Sequence, residues 1–194
     1  DHKLLEKVIT NKTLAIIIVD VYGIPNDYSS IKRIADKYSI PIIADKSHSL
    51  GVIIDGQSSL IQSDFSFASL HATKIISALE GGIIYSKSNF FIEKISKYMN
   101  FGFENNDAFS FGTNAKIDEF RCAFASNLMN QIPGIIKKRK AIFKVYVDYG
   151  LGKYLPKVLI DFEKTGNWNY SYFPILVKKN KRNHLFNELT KNGI

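Results

Sequence analysis

The sequence predicts an α/β fold built on a largely parallel sheet with flanking helices. Two observations carry that prediction. The runs "LAIIIVD" (14–20) and "IPIIAD" (40–45) are short, apolar and β-branched, the composition of strands buried on both faces. Between them lies "DYSSIKRIADKYS", with Ile31, Ile34, Ala35 and Tyr38 at three- and four-residue steps, the spacing of an amphipathic helix. Strand, helix, strand at this length is a βαβ unit, whose crossover is expected to be right-handed.

The other elements follow in order. "LLEKVI" has helical spacing, and glycine ends the first strand after "VDVYG". The central helix is expected to start at Asp27 or Ser29. "GVIIDGQ" reads as a short strand with a turn at Asp55-Gly56. "DFSFASL" and "GGIIYS" read as two strands flanking a segment that contains Lys74. "NFFIEKISKYMNFG" is a helix closed at Gly102, and "ENNDAFSFGTN" a polar loop. Lys116 to about Tyr149 is helical, with Pro133 kinking or dividing it. "LIDF" and "YSYFPILV" read as strands, and "RNHLFNELTKNG" as a helix closed by Gly193. The expected organisation places 1–130 in one domain. Residues 131–194 form a long connecting helix and the start of a small C-terminal α/β domain. Both ends look cut, before the first helix and where a strand would follow Ile194.

Composition narrows the function. The 194 residues suffice for one good-sized domain, with hydrophobic residues at 45% and charged residues at 23%, ordinary globular values. The net charge of +8 rests largely on "KKRK" (137–140) and "KKNKR" (178–182). These clusters lack the interleaved aromatics of a stacking platform, and the abundance of Lys, Ile and Asn is a compositional bias, so no nucleic-acid partner is expected. No apolar run approaches the roughly 18 residues of a membrane span, and "DHKLLEKVIT" has no signal-peptide core, so no membrane partner is expected either. The single cysteine, Cys122, suits a reducing cytoplasm, and the scattered histidines offer no metal-ligand spacing.

Four residues could carry chemistry. Asp45 ends "IPIIAD", and the carboxyl ends of strands in an open parallel sheet face the ligand crevice. It is either a turn or cap residue or a site carboxylate; Asp20, ending "LAIIIVD", shows how readily the same pattern arises. Lys74 sits in the apolar stretch "HATKIISALEGG". Partial burial disfavours a lysine's charge and makes its amine a nucleophile suited to Schiff-base chemistry; otherwise it is a snorkelling loop lysine. His48, three residues after Asp45, reads by itself as a turn histidine hydrogen-bonded to backbone. Ser69, five before Lys74, is a strand-end hydroxyl or an anion donor. A carboxylate, a lysine some 30 residues on and nearby hydroxyls together match what pyridoxal 5'-phosphate requires.

The sequence resembles the DegT/DnrJ/EryC1/StrS sugar aminotransferases, which are fold-type I enzymes dependent on pyridoxal phosphate. "IIIVDVYGIPNDYSSIKRIADKYSIPIIADKSHSLG" is similar to the family's strand–helix–strand closed by an aspartate and then a histidine or glutamine. "SLHATKIISALEGGIIY" resembles its S-F-H-A-T-K…E-G-G signature, the most specific piece. "FGTNAKIDEFRCAFA" resembles the segment opening its long helix, and "YSYFPILVKKNKRNHLFNELTKNGI" the start of its small domain.

The resemblance implies roles. Lys74 is the Schiff-base lysine and proton shuttle, Asp45 the partner of the pyridine nitrogen, and His48 a contact to the ring or its phenolic oxygen. Ser69 binds the phosphate, Ser47 fills a small-residue position against the ring, and Asn114 reaches the phosphate in the other subunit of a homodimer with composite sites. The implied reaction moves an amino group from glutamate to a keto-sugar on a nucleoside diphosphate, with a dTDP-linked keto-6-deoxyhexose favoured, for amino-sugar and surface-polysaccharide (O-antigen) synthesis. Lys74 argues against a dehydratase on this scaffold, which carries histidine at that position; a truncated, inactive remnant or interaction module remains the alternative.

Departures from the pattern are also visible. Lys46 follows the key aspartate where small residues are usual and is expected to point to solvent. Leu70 and Lys116 replace a usual phenylalanine and arginine. The family's N-terminal third, with its Gly-Thr phosphate loop and ring-covering aromatic, has no counterpart here, nor has the end of the small domain. The chain is therefore expected to be an internal part of such an enzyme.

Overall fold

Strand alternation at the start of the chain already sorts the core from what lies above it. The computed structural model describes residues 1–194 except Asn106 and Phe109. A four-residue helix, α1 (His2–Leu5), precedes β1 (Ile16–Val19). Helix α2 (Tyr28–Lys37) is capped by Asp27, whose carboxylate accepts the Ser30 N–H, and leads into β2 (Ile42–Asp45). β1 and β2 pair in parallel, Ile16 beside Ile42 and Val19 beside Asp45. Ile16, Ile31, Ala35 and Ile42 form one buried cluster, so α2 covers the face bearing Ile16 and Ile42.

Asp55 and Gly56 both adopt positive φ, the left-handed pair that a two-residue hairpin needs, and join β3 (Ile53–Ile54) to β4 (Gln57–Ser58). β5 (Phe65–Ser69) then pairs parallel to β2, and β6 (Gly82–Ser86) antiparallel to β5. The sheet order is β1-β2-β5-β6. The register assigns the faces: Ala44, Ser66 and Ala68 lie on the buried side, and Val19, Asp45, Phe67 and Ile84 on the other. That second face is bare where burial was expected, with Ile17 69% and Val19 45% exposed.

Helix α3 (Asn89–Met99) packs on β6, and a short antiparallel pair, β7 (Phe103–Glu104) and β8 (Asp107–Ala108), overlaps the start of the segment expected to be a loop. Two positions of that segment, Asn106 and Phe109, lie outside the described residues. α4 (Glu119–Met129) starts at Asp118, and Pro133 opens α5 (Ile132–Asp148), so the proline divides the helical stretch.

Two expected strands are not strands. "LIDF" falls inside helix α6 (Lys157–Glu163), entered at Pro156. Leu155 and Leu159 are four residues apart, and both are buried against Trp168, Tyr170 and Val52. That contact outweighs the β-propensity of a four-residue run. "YSYFPILV" has no sheet partner among the described residues. Its side chains anchor it instead: Phe173 packs on Phe143 (5.1 Å) and Tyr146 (5.0 Å) of α5. The chain closes with α7 (Arg182–Lys191), followed by Gly193 at positive φ. No helix among the described residues is long and apolar enough to cross a membrane.

Candidate active site

The carboxyl ends of β1, β2 and β5 converge on one turn, residues 46–50. Lys46 O accepts from the N–H groups of Ser49 (3.0 Å) and Leu50 (3.1 Å), so the chain coils sharply after β2. Asp45 stands before that turn on the bare face, its carboxylate accepting the Ser47 N–H at 2.8 Å. Ser69, at the end of β5, lies on the same face as Asp45 by register and accepts the His71 N–H at 3.2 Å.

His48 is held from three directions. Its Nδ1 accepts the Tyr22 N–H at 3.2 Å, so the neutral ring carries its proton on Nε2. Tyr172 packs on the imidazole at 4.5 Å, and Asn169 Nδ2 donates to His48 O at 2.8 Å. Gly23 is required beside it: its φ is +79°, and a Cβ there would meet His48 O at 2.7 Å. Burial holds the imidazole pKa below its ordinary value; the Lys74 charge pushes the same way and the Asp45 charge opposes it. Both charged groups therefore act on this one ring.

The setting of Lys74 explains a lysine in an apolar stretch. Its neighbours Ile75, Ile76 and Ala78 are buried with Leu50, Ala68, Leu70 and Ala125. Leu70 pins both ends of the loop, through the Ala78 N–H to Leu70 O (2.9 Å) and the Leu70 N–H to Gly81 O (2.9 Å). The apolar residues anchor the loop, and Lys74 is left half-buried at its rim, its N–H closing a turn on His71 O (2.9 Å).

Asp45, Ser47, His48, Ser69 and Lys74 are thus drawn from the strand ends and the loop that follows β5. Asn114 is exposed, in an antiparallel bridge with Asn100 at the end of α3. The expectation for Lys46 is overturned. The backbone N–H of Lys46 continues the β2 pairing to Phe67 O (2.7 Å), so its side chain falls on the opposite face from Asp45. There it is fully buried and ion-paired with Asp20 at 2.7 Å. Asp20 is likewise a buried carboxylate and no simple turn residue. Sequence reasoning missed Tyr172, Tyr22 and Asn169. Nothing local marks Tyr22 or Tyr172, and Asn169 reaches His48 across 121 residues of sequence.

A largely parallel sheet with an acid, an imidazole and an amine at or just beyond its strand ends is the arrangement of a ligand-binding α/β domain. The chain belongs to the DegT/DnrJ/EryC1/StrS aminotransferase family, the match running over residues 1–194. It is 34% identical, over 98% of its length, to the dTDP-4-amino-4,6-dideoxy-D-glucose transaminase of Shigella dysenteriae, of which it covers 53%. Among solved structures it is similar to the pyridoxal-phosphate form of the putative sugar aminotransferase Spr1654 from Streptococcus pneumoniae (TM-score 0.86, 25% identity), covering all of this chain and 56% of that one. It is also similar to DesI crystallised with its TDP-sugar product (TM-score 0.78, 26% identity), covering 89% of this chain and 44% of that one. The chain therefore spans about half the length of the curated relatives it matches.

Proposed function

We propose that the full-length protein containing this chain is a pyridoxal-phosphate-dependent transaminase that moves an amino group from glutamate to a keto-sugar linked to a nucleoside diphosphate. The favoured acceptor is a dTDP-linked keto-6-deoxyhexose, and the product an amino-sugar for surface polysaccharide such as O-antigen, made in the cytoplasm by a homodimer. In this reading 1–130 belong to the large cofactor-binding domain, and 131–194 are the connecting helix and the start of the small one. The observation that carries the proposal is the placement of Asp45 and Ser69 on one face at the carboxyl ends of β2 and β5, with His48 held in the turn after β2 and Lys74 at the rim of the loop after β5. The matched relatives named as nucleotide-sugar transaminases support the substrate class.

The donor set fits the cofactor. Asp45 offers an anion for a ring nitrogen, Lys74 an amine for an aldehyde, His48 an Nε2–H for a ring oxygen, and Ser69 a hydroxyl for a phosphate. When bound, the cofactor supplies a carbonyl that amines condense with and a ring that stores the electron pair. Lys74 Nζ holds the cofactor and moves the substrate's α-proton. Asp45 keeps a proton on the ring nitrogen, and Ser47 leaves room beside the ring. The test is a half-reaction. The full-length protein loaded with pyridoxal phosphate is expected to lose its long-wavelength absorbance on adding glutamate, releasing 2-oxoglutarate, and to recover it with a dTDP-keto-sugar. Loaded protein that releases no 2-oxoglutarate contradicts the reading.

Asn114 is assigned to the partner subunit's phosphate on the family resemblance, a role for which its exposed position leaves it accessible. Asn114→Asp sets a carboxylate against that phosphate and is expected to weaken cofactor binding. Mixing Lys74→Ala with Asn114→Asp subunits is then expected to restore roughly a quarter of wild-type activity, since half of randomly formed twofold dimers are mixed and each has one intact site. Subunit exchange confirmed by mass with no recovered activity removes Asn114 from a shared site.

A further inference from the structure

Directly behind Asp45, on the covered face of the sheet, lies a pair of buried charges. The register that sets Val19 beside Asp45 brings the next residues, Asp20 and Lys46, side by side. Both side chains are 0% exposed, and Lys46 Nζ lies 2.7 Å from Asp20 Oδ2. Asp20 collects partners from every segment around the turn. Its Oδ1 accepts from Tyr28 Oη (2.9 Å), Asn26 Nδ2 (2.9 Å) and the Asn26 N–H (3.2 Å); its Oδ2 also accepts from Ser49 Oγ (2.9 Å). Lys46 Nζ also bonds the Tyr28 hydroxyl and lies 3.8 Å from that ring's centroid. The network leaves no described buried side-chain nitrogen or oxygen without a partner.

Stability alone is a weak reason for this arrangement. Desolvating two charges offsets most of their attraction, and apolar residues of similar volume commonly stabilise a fold as well or better. The gain lies in geometry. Asp20 N–H binds Asp45 O (3.2 Å), Asp20 Oδ2 holds Ser49, and Lys46 O holds the N–H groups of Ser49 and Leu50. Ser49 and Leu50, which follow His48, and the backbone of Asp45 are therefore tied to one hub. Asp20 also takes up the Lys46 charge on the far face, leaving Asp45 uncompensated by its own neighbour.

We propose that the Asp20–Lys46 pair is a positioning device: it fixes the 46–50 turn so that Asp45 and His48 are presented together to the cofactor. The cofactor clause rests on the proposed function; the fixing of His48 does not.

The test compares wild type with the double variant Asp20→Leu/Lys46→Met, which removes both charges at once, and with Ser49→Ala, which keeps the ion pair and cuts the side-chain bond from Asp20 to the turn. Three quantities are read on the full-length protein: melting temperature, pyridoxal phosphate affinity, and the His48 titration by NMR without cofactor. The double variant is expected to melt below wild type, because Tyr28 Oη, Asn26 and Ser49 Oγ lose their acceptor, and, where still folded, to bind pyridoxal phosphate at least ~10-fold more weakly, as small misplacements of binding groups would cause. With the turn loosened, His48 gains water and titrates at higher pH, nearer the ordinary imidazole value, between the opposing charges of Lys74 and Asp45. Ser49→Ala shifts both in the same direction. A folded double variant with wild-type affinity and His48 titration overturns the proposal. If the double variant does not fold, Ser49→Ala with an unmoved His48 titration overturns it. Wild-type protein that takes up no pyridoxal phosphate sinks the proposed function, while the His48 titration still decides the positioning claim.

Discussion

Changing Lys74 to alanine in the full-length protein is expected to abolish the covalent hold on pyridoxal phosphate and to cut transamination by at least ~10⁴-fold. A positioned proton carrier alone accounts for up to about 10⁴-fold, and the same amine is assigned the nucleophile's role. The fold should survive. Lys74 is half-buried at the rim of its loop, while Ile75, Ile76 and Ala78 provide the anchoring. His48 gives an internal check: the Lys74 charge lowers its pKa, so removing that charge should let His48 titrate at higher pH. Unchanged activity with a melted fold absent would make Lys74 a surface lysine. Retained long-wavelength absorbance that still vanishes on borohydride reduction would assign the cofactor to another lysine.

Asp45→Asn is expected to keep the cofactor bound but lower turnover by at least ~100-fold, because a neutral amide cannot hold the ring nitrogen's proton and the ring loses its capacity to store an electron pair. The substitution is conservative in shape. An amide oxygen can still accept the Ser47 N–H that Asp45 Oδ1 accepts at 2.8 Å, so the turn should persist. His48 should move opposite to its response in Lys74→Ala. The Asp45 charge raises the imidazole pKa, and its removal should lower it further. Steady-state kinetics and a His48 titration on one protein thus separate a chemical role from a structural one. Near-normal turnover would return Asp45 to a turn-forming role.

Much of this was legible because the decisive signals are local. Asp27 with Ile31, Ile34 and Ala35 specifies α2 within one window, Asp55-Gly56 specifies its hairpin, and Pro133 marks where α5 begins. What failed depended on distant partners. "LIDF" looks β-like alone, but Leu159 is claimed by Trp168 and Val52. "YSYFPILV" has strand composition, but its aromatics find α5 before any strand edge. Lys46 is the most instructive case. Strand parity alone puts it on the face opposite Asp45, and setting "VD" beside "DK" in a parallel pair would have offered Asp20 as its counter-charge. The missing datum was register, which no single strand contains. Tyr172 against His48 had no such route, because the contact joins elements 124 residues apart, from 48 to 172.

The central claim is that Lys74 is the residue that binds the cofactor. Its most direct test is to load the full-length protein with pyridoxal phosphate, reduce with borohydride, digest, and locate the modified lysine by mass spectrometry. The account predicts one reduced pyridoxyl-phosphate group, on the peptide containing "HATKIISALEGG". That peptide recovered unmodified, with the adduct on a different lysine, would contradict it.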